Sequence, residues 1–323
     1  MTVRNFDVFN GDADGLCALH QFRLADPLES ELITGVKRDI HLLTRITGSK
    51  GDRVAVFDIC FAENCADVER LLNNGIRVRY FDHHYAGAVP MHPLFEPHID
   101  VGHNVCTSII VDRFCGGRFR MWAIVGAFGD NLSHAAYELA ESLALSDEAI
   151  AQLRVLGECI NYNSYGECES DLYYPPAALY RAMAPFADPF AFLAACSHCD
   201  RLRTGMQDDL DAASKVSPAA AWPHGDAYLL PPAPWSRRVA GVFANRLVQE
   251  APVAVHAVLI PRSAGGYLVN VRVPQRASLT ADALCREFPT GGGRSLAAGI
   301  NNLPETELQR FFDRLKTIHL QYT

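Results

Sequence analysis

The chain has no unbroken apolar stretch of the ~18–20 residues that a membrane-spanning helix needs. Residues 1–7 lack the apolar segment of a secretory signal, and the ten cysteines follow no regular spacing. These absences are typical of a cytoplasmic protein that has reduced thiols and no membrane partner.

A surplus of basic residues is also absent, because 29 Lys and Arg stand against 37 Asp and Glu, for a net charge of −8. Proteins that coat long DNA or RNA bind through a large basic surface, and this composition argues against that class. The hydrophobic share of 49% supplies a packed core, which excludes a disordered or fibrous chain. A length of 323 residues is enough for about two domains.

The charge is divided unevenly along the chain. Residues 1–216 contain 18 basic and 30 acidic side chains, whereas residues 217–323 contain 11 basic and 7 acidic ones. The two parts therefore carry net charges of −12 and +4, which indicates two different roles.

The first 130 residues alternate short apolar runs with helical patterns, which predicts a parallel α/β sheet. We predict strands at 6–9, 53–58 and 75–81 and helices at 16–24, 65–73, 107–115 and 122–128. The pattern from about 133 to 211 is mostly helical. Together these segments predict a first domain over residues 1–211.

Residues 212–234 are rich in Ala and Pro, and we interpret them as a linker. Beyond them the pattern predicts helices at 236–249, 279–287 and 305–318 and a strand pair at 253–260 and 267–273. Residues 235–323 are thus expected to form a second, smaller α/β domain.

Acidic and metal-binding residues follow three successive predicted strands. They are Asp12 and Asp14, then Asp58, then Asp82, His83 and His84, and Asp130 follows a helix that could return to the same edge. The carboxyl ends of parallel strands line one crevice, where ligands usually bind. Carboxylates so crowded repel one another unless cations lie between them, and carboxylates with imidazoles suit Mn(II) or Mg(II).

Each of these residues also has an ordinary structural interpretation. Asp-x-Asp-Gly is common in turns, Asp58 could simply end a strand, and a lone histidine is more often a surface residue. Their recurrence at three strand ends in order favours a metal site. Two ions about 3.5–4 Å apart, bridged by one carboxylate, would activate water and clamp a phosphoryl group.

Four segments, taken in this order, resemble the motifs of a known family. They are Asn10-Gly11-Asp12-Ala13-Asp14-Gly15, Phe57-Asp58, Phe81-Asp82-His83-His84 and Gly126-Ala127-Phe128-Gly129-Asp130. They resemble the motifs of the DHH phosphoesterase superfamily. Gly291-Gly292-Gly293-Arg294 with Ala297-Ala298-Gly299 is similar to the glycine-rich signature of the domain that accompanies it.

The resemblance implies a DHH catalytic domain over 1–211 and a substrate-binding domain over 235–323, with the active site in the cleft between them. It implies that Asp12 ligates a first metal ion and Asp14 a second, and that Asp58 bridges the two. His83 and Asp130 would complete the second site. Asp82 would orient its neighbours, and His84 would contact the scissile phosphate or the leaving group.

The chain departs from the family pattern at two positions. Many members have a histidine where this chain has Asn10, so the first ion could lack a ligand or recruit another residue. His103 is a candidate replacement, and a substrate contact by His103 and Asn104 or a plain loop is the alternative. Arg294 stands where the signature often ends in His, and its guanidinium suits a terminal phosphate.

The glycine triplet 291–293 allows close approach of a ligand, and its amides could cradle phosphate. Three glycines also make an ordinary flexible loop. The basic surroundings, including Arg272 on a predicted strand nearby, favour phosphate binding. The pair Cys196 and Cys199 has metal-like or redox-like spacing, but without a second such pair a buried helical face is the simpler interpretation.

A catalytic domain beside a small basic domain suits a substrate of one to a few nucleotides. We therefore expect a metal-dependent phosphodiesterase that hydrolyses very short oligoribonucleotides, such as the linear dinucleotide pGpG, to mononucleotides. The alternatives are a 3′-phosphoadenosine 5′-phosphate phosphatase, a cyclic-dinucleotide phosphodiesterase, a single-strand exonuclease and a non-catalytic nucleotide-binding protein. Members of the superfamily are often dimeric, so the resemblance leaves a homodimer open.

Overall fold

The computed structural model describes residues 3–319 and divides the chain into two compact units, residues 1–203 and 204–323. The first unit contains five strands, which are β1 (Asn5–Phe9), β2 (Glu31–Ile33), β3 (Arg53–Phe57), β4 (Arg77–Asp82) and β5 (Phe95–Ile99). All five are parallel, in the order β2-β1-β3-β4-β5. The predicted α/β fold class is confirmed.

Nine helices accompany this sheet within the described residues. They are α1 (Ala13–Ala25), α2 (Phe61–Asn73), α3 (Thr107–Phe114), α4 (Arg120–Gly129), α5 (Ser133–Ser142), α6 (Asp147–Tyr162), α7 (Pro176–Met183), α8 (Pro189–Ala195) and α9 (His198–Ser214), which runs into the second unit. None of the helices described between residues 3 and 319 combines the length and the apolar character that crossing a membrane requires.

The central strands are buried on both faces, as parallel strands covered by helices usually are. Phe57 on β3 and Phe81 on β4 stack with ring centroids 5.4 Å apart. The sheet order reverses between β1 and β3, and the loops that leave their carboxyl ends diverge there. Such a switch point is where open α/β sheets bind ligands.

The second unit is built on a mixed six-stranded sheet. Its strands are β6 (Ala220–Trp222), β7 (Gly225–Leu229), β8 (Val255–Pro261), β9 (Tyr267–Arg272), β10 (Gly291–Gly293) and β11 (Ala297–Leu303). The order is β10-β11-β9-β8-β7-β6, with only the β7–β8 pair parallel. Its helices are α10 (Pro234–Glu250), α11 (Ala281–Cys285) and α12 (Leu308–Lys316).

Strand β8 shows how the second sheet is stabilised. Val255, Ala257 and Leu259 point into the core beneath α11 and α12, whereas Val258 and Ile260 point into the core beneath α10. Period-two alternation places successive side chains on opposite faces, so both faces of the sheet are covered.

Several local predictions differ from the structure. Residues 212–234, interpreted as a linker, contain β6 and β7 and therefore belong largely to the second sheet. The glycine triplet, expected as a loop, pairs with β11 as the edge strand β10. The limits of the predicted catalytic and substrate-binding domains stay a prediction.

Candidate metal centre

The loop after β1 positions two carboxylates. Asp12 caps the first turn of α1, and its Oδ1 accepts a hydrogen bond from the backbone N–H of Gly15 at 3.0 Å. Asp14 is fully buried, and its two oxygens accept the backbone N–H groups of Thr107 and Ser108, each at 2.7 Å. The N-terminus of α3 thus fixes the Asp14 carboxylate by charge-assisted hydrogen bonds.

Asp58 follows β3 in a left-handed backbone conformation, with φ of +59°. Asp and Asn enter this region more readily than most residues, and such positions are frequent at functional sites. The Asp58 Oδ1 atom accepts the hydroxyl of Thr107 at 3.1 Å. Thr107, at the start of α3, therefore contacts both Asp14 and Asp58.

His83 follows β4 and is aimed at this group of carboxylates. Its Nδ1 donates to the backbone carbonyl of Val105 at 3.1 Å, which leaves the Nε2 lone pair as a ligand in the neutral ring. Nε2 faces three carboxylate oxygens, at 3.4 Å from Asp58, 3.8 Å from Asp130 and 3.9 Å from Asp14.

These spacings fit a divalent ion. With bonds of about 2.1 Å, the ligand atoms around one ion lie roughly 3–4 Å apart. Two overlapping groups have their ligand atoms within 4.8 Å of one another, namely Asp14 with His83 and Asp130, and Asp58 with His83 and His84. A donor set of carboxylate oxygens and imidazole nitrogen suits Mn(II) or Mg(II).

The protein stabilises protons in this cluster. Burial lowers the pKa of His83, but the hydrogen bond to Asp58 and the surrounding carboxylates outweigh it and raise that pKa to about 10. Burial and the charges of Asp14 and Asp12 raise the pKa of Asp130 to about 6, against the effect of Lys37. Burial also raises the pKa of Asp58 well above its usual range. A cation that binds here must displace these protons.

Asp82 and His84 form a separate pair beside the cluster. The buried Asp82 accepts the backbone N–H of Phe61 at 2.9 Å and that of His84 at 3.1 Å. The Nδ1 of His84 lies 2.7 Å from the same carboxylate, while the His84 side chain is 42% exposed. This geometry supports an orienting role for Asp82, which stays a proposal.

Lys37 is a site residue that the sequence analysis missed. Its Nζ lies 2.5 Å from Asp12 Oδ2, 3.2 Å from Asn161 Oδ1 and 3.9 Å from Asp130 Oδ1. Among residues 3–319, Asp12 belongs to neither of the two ion-holding groups. Burial raises the pKa of Asp12, but the Lys37 ammonium outweighs it and the pKa is lowered.

The amide of Asn10, the residue at which the motif resemblance suggests a histidine in many DHH proteins, is engaged in two hydrogen bonds. Its Nδ2 donates to the Lys37 carbonyl at 3.3 Å, and its Oδ1 accepts the backbone N–H of Asp12 at 3.3 Å. His103 and Asn104 form an exposed turn immediately before Val105. Within the described chain, neither belongs to an ion-holding group, and their contact with substrate stays a prediction.

Few sequence features indicated Lys37 or the hydrogen-bond donors at the start of α3. The chain has only four lysines, and this rarity is the one hint at Lys37 that the sequence offers. In the structure, the other three, Lys50, Lys215 and Lys316, are exposed. A Thr-Ser pair at the start of the predicted helix 107–115 was the available hint at the backbone donors of α3.

The predicted phosphate-binding residues lie in the second unit. Arg272 ends β9 directly opposite Ala297, and the backbone N–H of Arg294 bonds the carbonyl of Ala297 at 2.9 Å. The two arginines therefore share one end of the second sheet. Arg294 is exposed, and Arg272 Nε donates to Asn245 Oδ1 at 2.9 Å.

The three glycines of β10 differ in what they accommodate. A Cβ on Gly291 would lie 1.8 Å from the Cys285 carbonyl, and one on Gly293, at φ of +147°, would lie 2.5 Å from Ala298 Cα. A Cβ on Gly292 would meet nothing within 4 Å. Packing therefore requires Gly291 and Gly293, whereas Gly292 borders open space.

Comparison with known proteins gives structural neighbours only. No family model matches the chain, and no curated protein is significantly similar to it in sequence. The exonuclease RecJ bound to manganese superposes with a TM-score of 0.61 at 18% identity, covering 97% of this chain and 89% of that one. The Vibrio cholerae pGpG-specific phosphodiesterase PggH superposes with a TM-score of 0.52 at 13% identity, covering 97% and 98%.

An exopolyphosphatase-related protein from Bacteroides fragilis superposes with a TM-score of 0.51 at 12% identity, covering 97% of this chain and 91% of that one. Each comparison extends over nearly the whole chain. At these identities the similarity concerns the fold, and it agrees with the order of motifs in the sequence. The chain has the fold of the DHH-domain proteins.

Proposed function

We propose that this chain is a metal-dependent phosphodiesterase that hydrolyses very short oligoribonucleotides, such as the linear dinucleotide pGpG, to mononucleotides. One observation carries the proposal. At one edge of the first sheet, two groups that share His83 have spacings that fit a divalent ion, namely Asp14 with His83 and Asp130, and Asp58 with His83 and His84.

A divalent ion, Mn(II) or Mg(II), supplies Lewis-acid activation of water and neutralises charge on a phosphoryl group. Asp14, Asp58, His83 and Asp130 would hold it. The resemblance implied two such ions, the first of them on Asp12. That carboxylate is paired with the Lys37 ammonium.

His84 supplies the second chemical element of the proposal. Because its Nδ1 bonds Asp82, its Nε2 is the nitrogen that would bond a phosphate oxygen or protonate a leaving oxygen. The buried Asp82 carboxylate accepts the hydrogen bond from Nδ1 and holds the ring in one orientation. A side chain 42% exposed at this position is accessible to a substrate.

The charge distribution supports a short substrate. The −12 charge of residues 1–216 disfavours a long polyanion, whereas Arg272, Arg294 and the open backbone at Gly292 offer local phosphate binding. The proposed enzyme would act in the cytoplasm, at the last step of RNA decay or of cyclic-di-GMP turnover. The fold of PggH supports a dinucleotide substrate, and the fold of RecJ keeps a single-strand exonuclease as the second candidate.

A substrate panel with Mn(II) distinguishes these functions. The panel contains pGpG, other dinucleotides, a five-nucleotide RNA, cyclic-di-GMP, 3′-phosphoadenosine 5′-phosphate and long single-stranded DNA, with EDTA-treated protein as the control. We expect the highest kcat/KM on linear dinucleotides. Equal cleavage of long DNA would contradict the size restriction, and tight nucleotide binding without any turnover would contradict an enzymatic role.

A further inference from the structure

The ammonium group of Lys37 lies among ligand atoms of the kind that hold a metal ion. Oxygens from three separate segments surround it, namely Asp12 Oδ2 at 2.5 Å, Asn161 Oδ1 at 3.2 Å and Asp130 Oδ1 at 3.9 Å. The Lys37 side chain is only 26% exposed, whereas the other three lysines of the chain are exposed. This lysine is therefore inserted into the centre rather than solvated.

The backbone around Lys37 is fixed by contacts on two sides. The Lys37 N–H donates to the carbonyl of Ser164 at 2.9 Å, and the Lys37 carbonyl accepts from Asn10 Nδ2 at 3.3 Å. The loop also packs directly on the strand end, because a Cβ on Gly11 would lie 2.1 Å from the carbonyl of Gly35. The position of the ammonium follows from this packing.

Asn10, at the position where many DHH proteins have a histidine, and Lys37 are linked by a hydrogen bond. Asn10 occupies the position of that histidine and uses its amide to hold the carbonyl of Lys37 and the N–H of Asp12. The residue that would have ligated a first ion instead positions the lysine that contacts Asp12.

A divalent ion on Asp12 would be close to this ammonium. With a bond of about 2.1 Å to Asp12 Oδ2, such an ion would lie at most about 4.6 Å from Nζ. Like charges at that distance in a partly buried site repel strongly. We infer that the Lys37 ammonium takes the place of one metal ion, so that this centre holds a single divalent ion on Asp14, Asp58, His83 and Asp130.

The two cations would have different roles. Lys37 carries a permanent single charge and N–H donors, so it neutralises Asp12 and can bond a phosphate oxygen, but it does not acidify water. Activation of water would then depend on the single ion alone. The inference rests on the proposed metal-dependent function, but counting bound ions requires no turnover.

The number of bound ions is measured by titrating metal-free protein with Mn(II) and following the free-ion signal by electron paramagnetic resonance. We expect one Mn(II) per wild-type chain. The double variant Asn10→His/Lys37→Ala restores the imidazole and removes the ammonium, and we expect it to bind two, with spin coupling between them. Lys50→Ala, which removes an exposed lysine, is the matched control and should bind one.

The number of bound Mn(II) ions tests the role of Lys37 and the metal-dependent function separately. Two ions of similar affinity in the wild type, or one ion in the folded double variant, would overturn the role of Lys37. No bound ion in the wild type would contradict the metal-dependent function itself. If circular dichroism shows that the double variant is unfolded, Lys37→Met replaces it, because that side chain keeps the length without the charge and should admit a second ion.

Discussion

Binding of Mn(II) should release at least one proton per chain at pH 7.5. In the absence of an ion, the carboxylates around His83 raise its pKa to about 10, so the ring is protonated at neutral pH. An ion needs the Nε2 lone pair and must displace that proton. Protonation competes with the ion below pH 10, so apparent affinity rises with pH up to that value.

The magnitude follows from the distance between the pKa and the working pH. At pH 7.5 the difference is about 2.5 units, which weakens the apparent affinity about 300-fold, or by ~3.4 kcal/mol. Affinity should rise about tenfold per pH unit between pH 7 and 9. Below pH 6 the dependence should become steeper, because Asp130, with a pKa of about 6, also becomes protonated.

Isothermal titration calorimetry measures this proton directly. The enthalpy of Mn(II) binding at pH 7.5 should differ between two buffers in proportion to their ionisation enthalpies and the protons released. His83→Asn should lower the release by about one proton. His134→Asn, which removes an exposed histidine paired with Glu138, should leave it unchanged. Equal enthalpies for wild-type protein in both buffers would refute the reasoning.

Three further predictions concern substrate binding and the second unit. Gly293→Ala should lower the free energy of unfolding by about 2 kcal/mol or more, because residue 293 has a φ of +147° and its new Cβ would contact Ala298. Gly292→Ala should leave the Tm unchanged and raise the KM for the substrate, because a Cβ there meets open space. A Gly292→Ala variant that is destabilised in thermal denaturation would contradict this. Arg294→Ala should raise the KM for pGpG severalfold in steady-state assays with kcat retained, and an unchanged KM would remove Arg294 from phosphate binding. Asp82→Asn should lower kcat about 100-fold, because His84 loses the partner that orients it, and an effect confined to KM would argue against that role.

In the first sheet, the sequence predicted the three central strands and missed the two at the edges. The strands β1, β3 and β4 have the apolar runs of buried parallel strands. Strand β2 has three residues and begins with Glu31, and β5 contains Pro97, which is tolerated at a sheet edge but breaks a strand pattern. Strand β10 consists of three glycines, so it has no side-chain pattern to detect.

At the metal centre, the sequence indicated the acidic residues but not what surrounds them. The strand ends predicted that Asp14, Asp58 and His83 would meet, and the structure brings them within a few ångströms. The contact between Asp12 and Lys37 joins a strand end to a loop 25 residues later, and no local pattern encodes it. The positive φ of Asp58 likewise depends on packing around the strand end.

The most direct test of a metal-dependent hydrolase at this centre compares the wild type with Asp58→Asn. Asn tolerates the left-handed backbone of residue 58, so the fold should persist while an anionic ligand is lost. The measurement is Mn(II)-dependent conversion of pGpG to mononucleotides, with folding checked by circular dichroism. We predict turnover by the wild type and a loss of about 1000-fold, or ~4 kcal/mol, in the variant. Turnover by a folded Asp58→Asn variant close to that of the wild type would contradict the assignment.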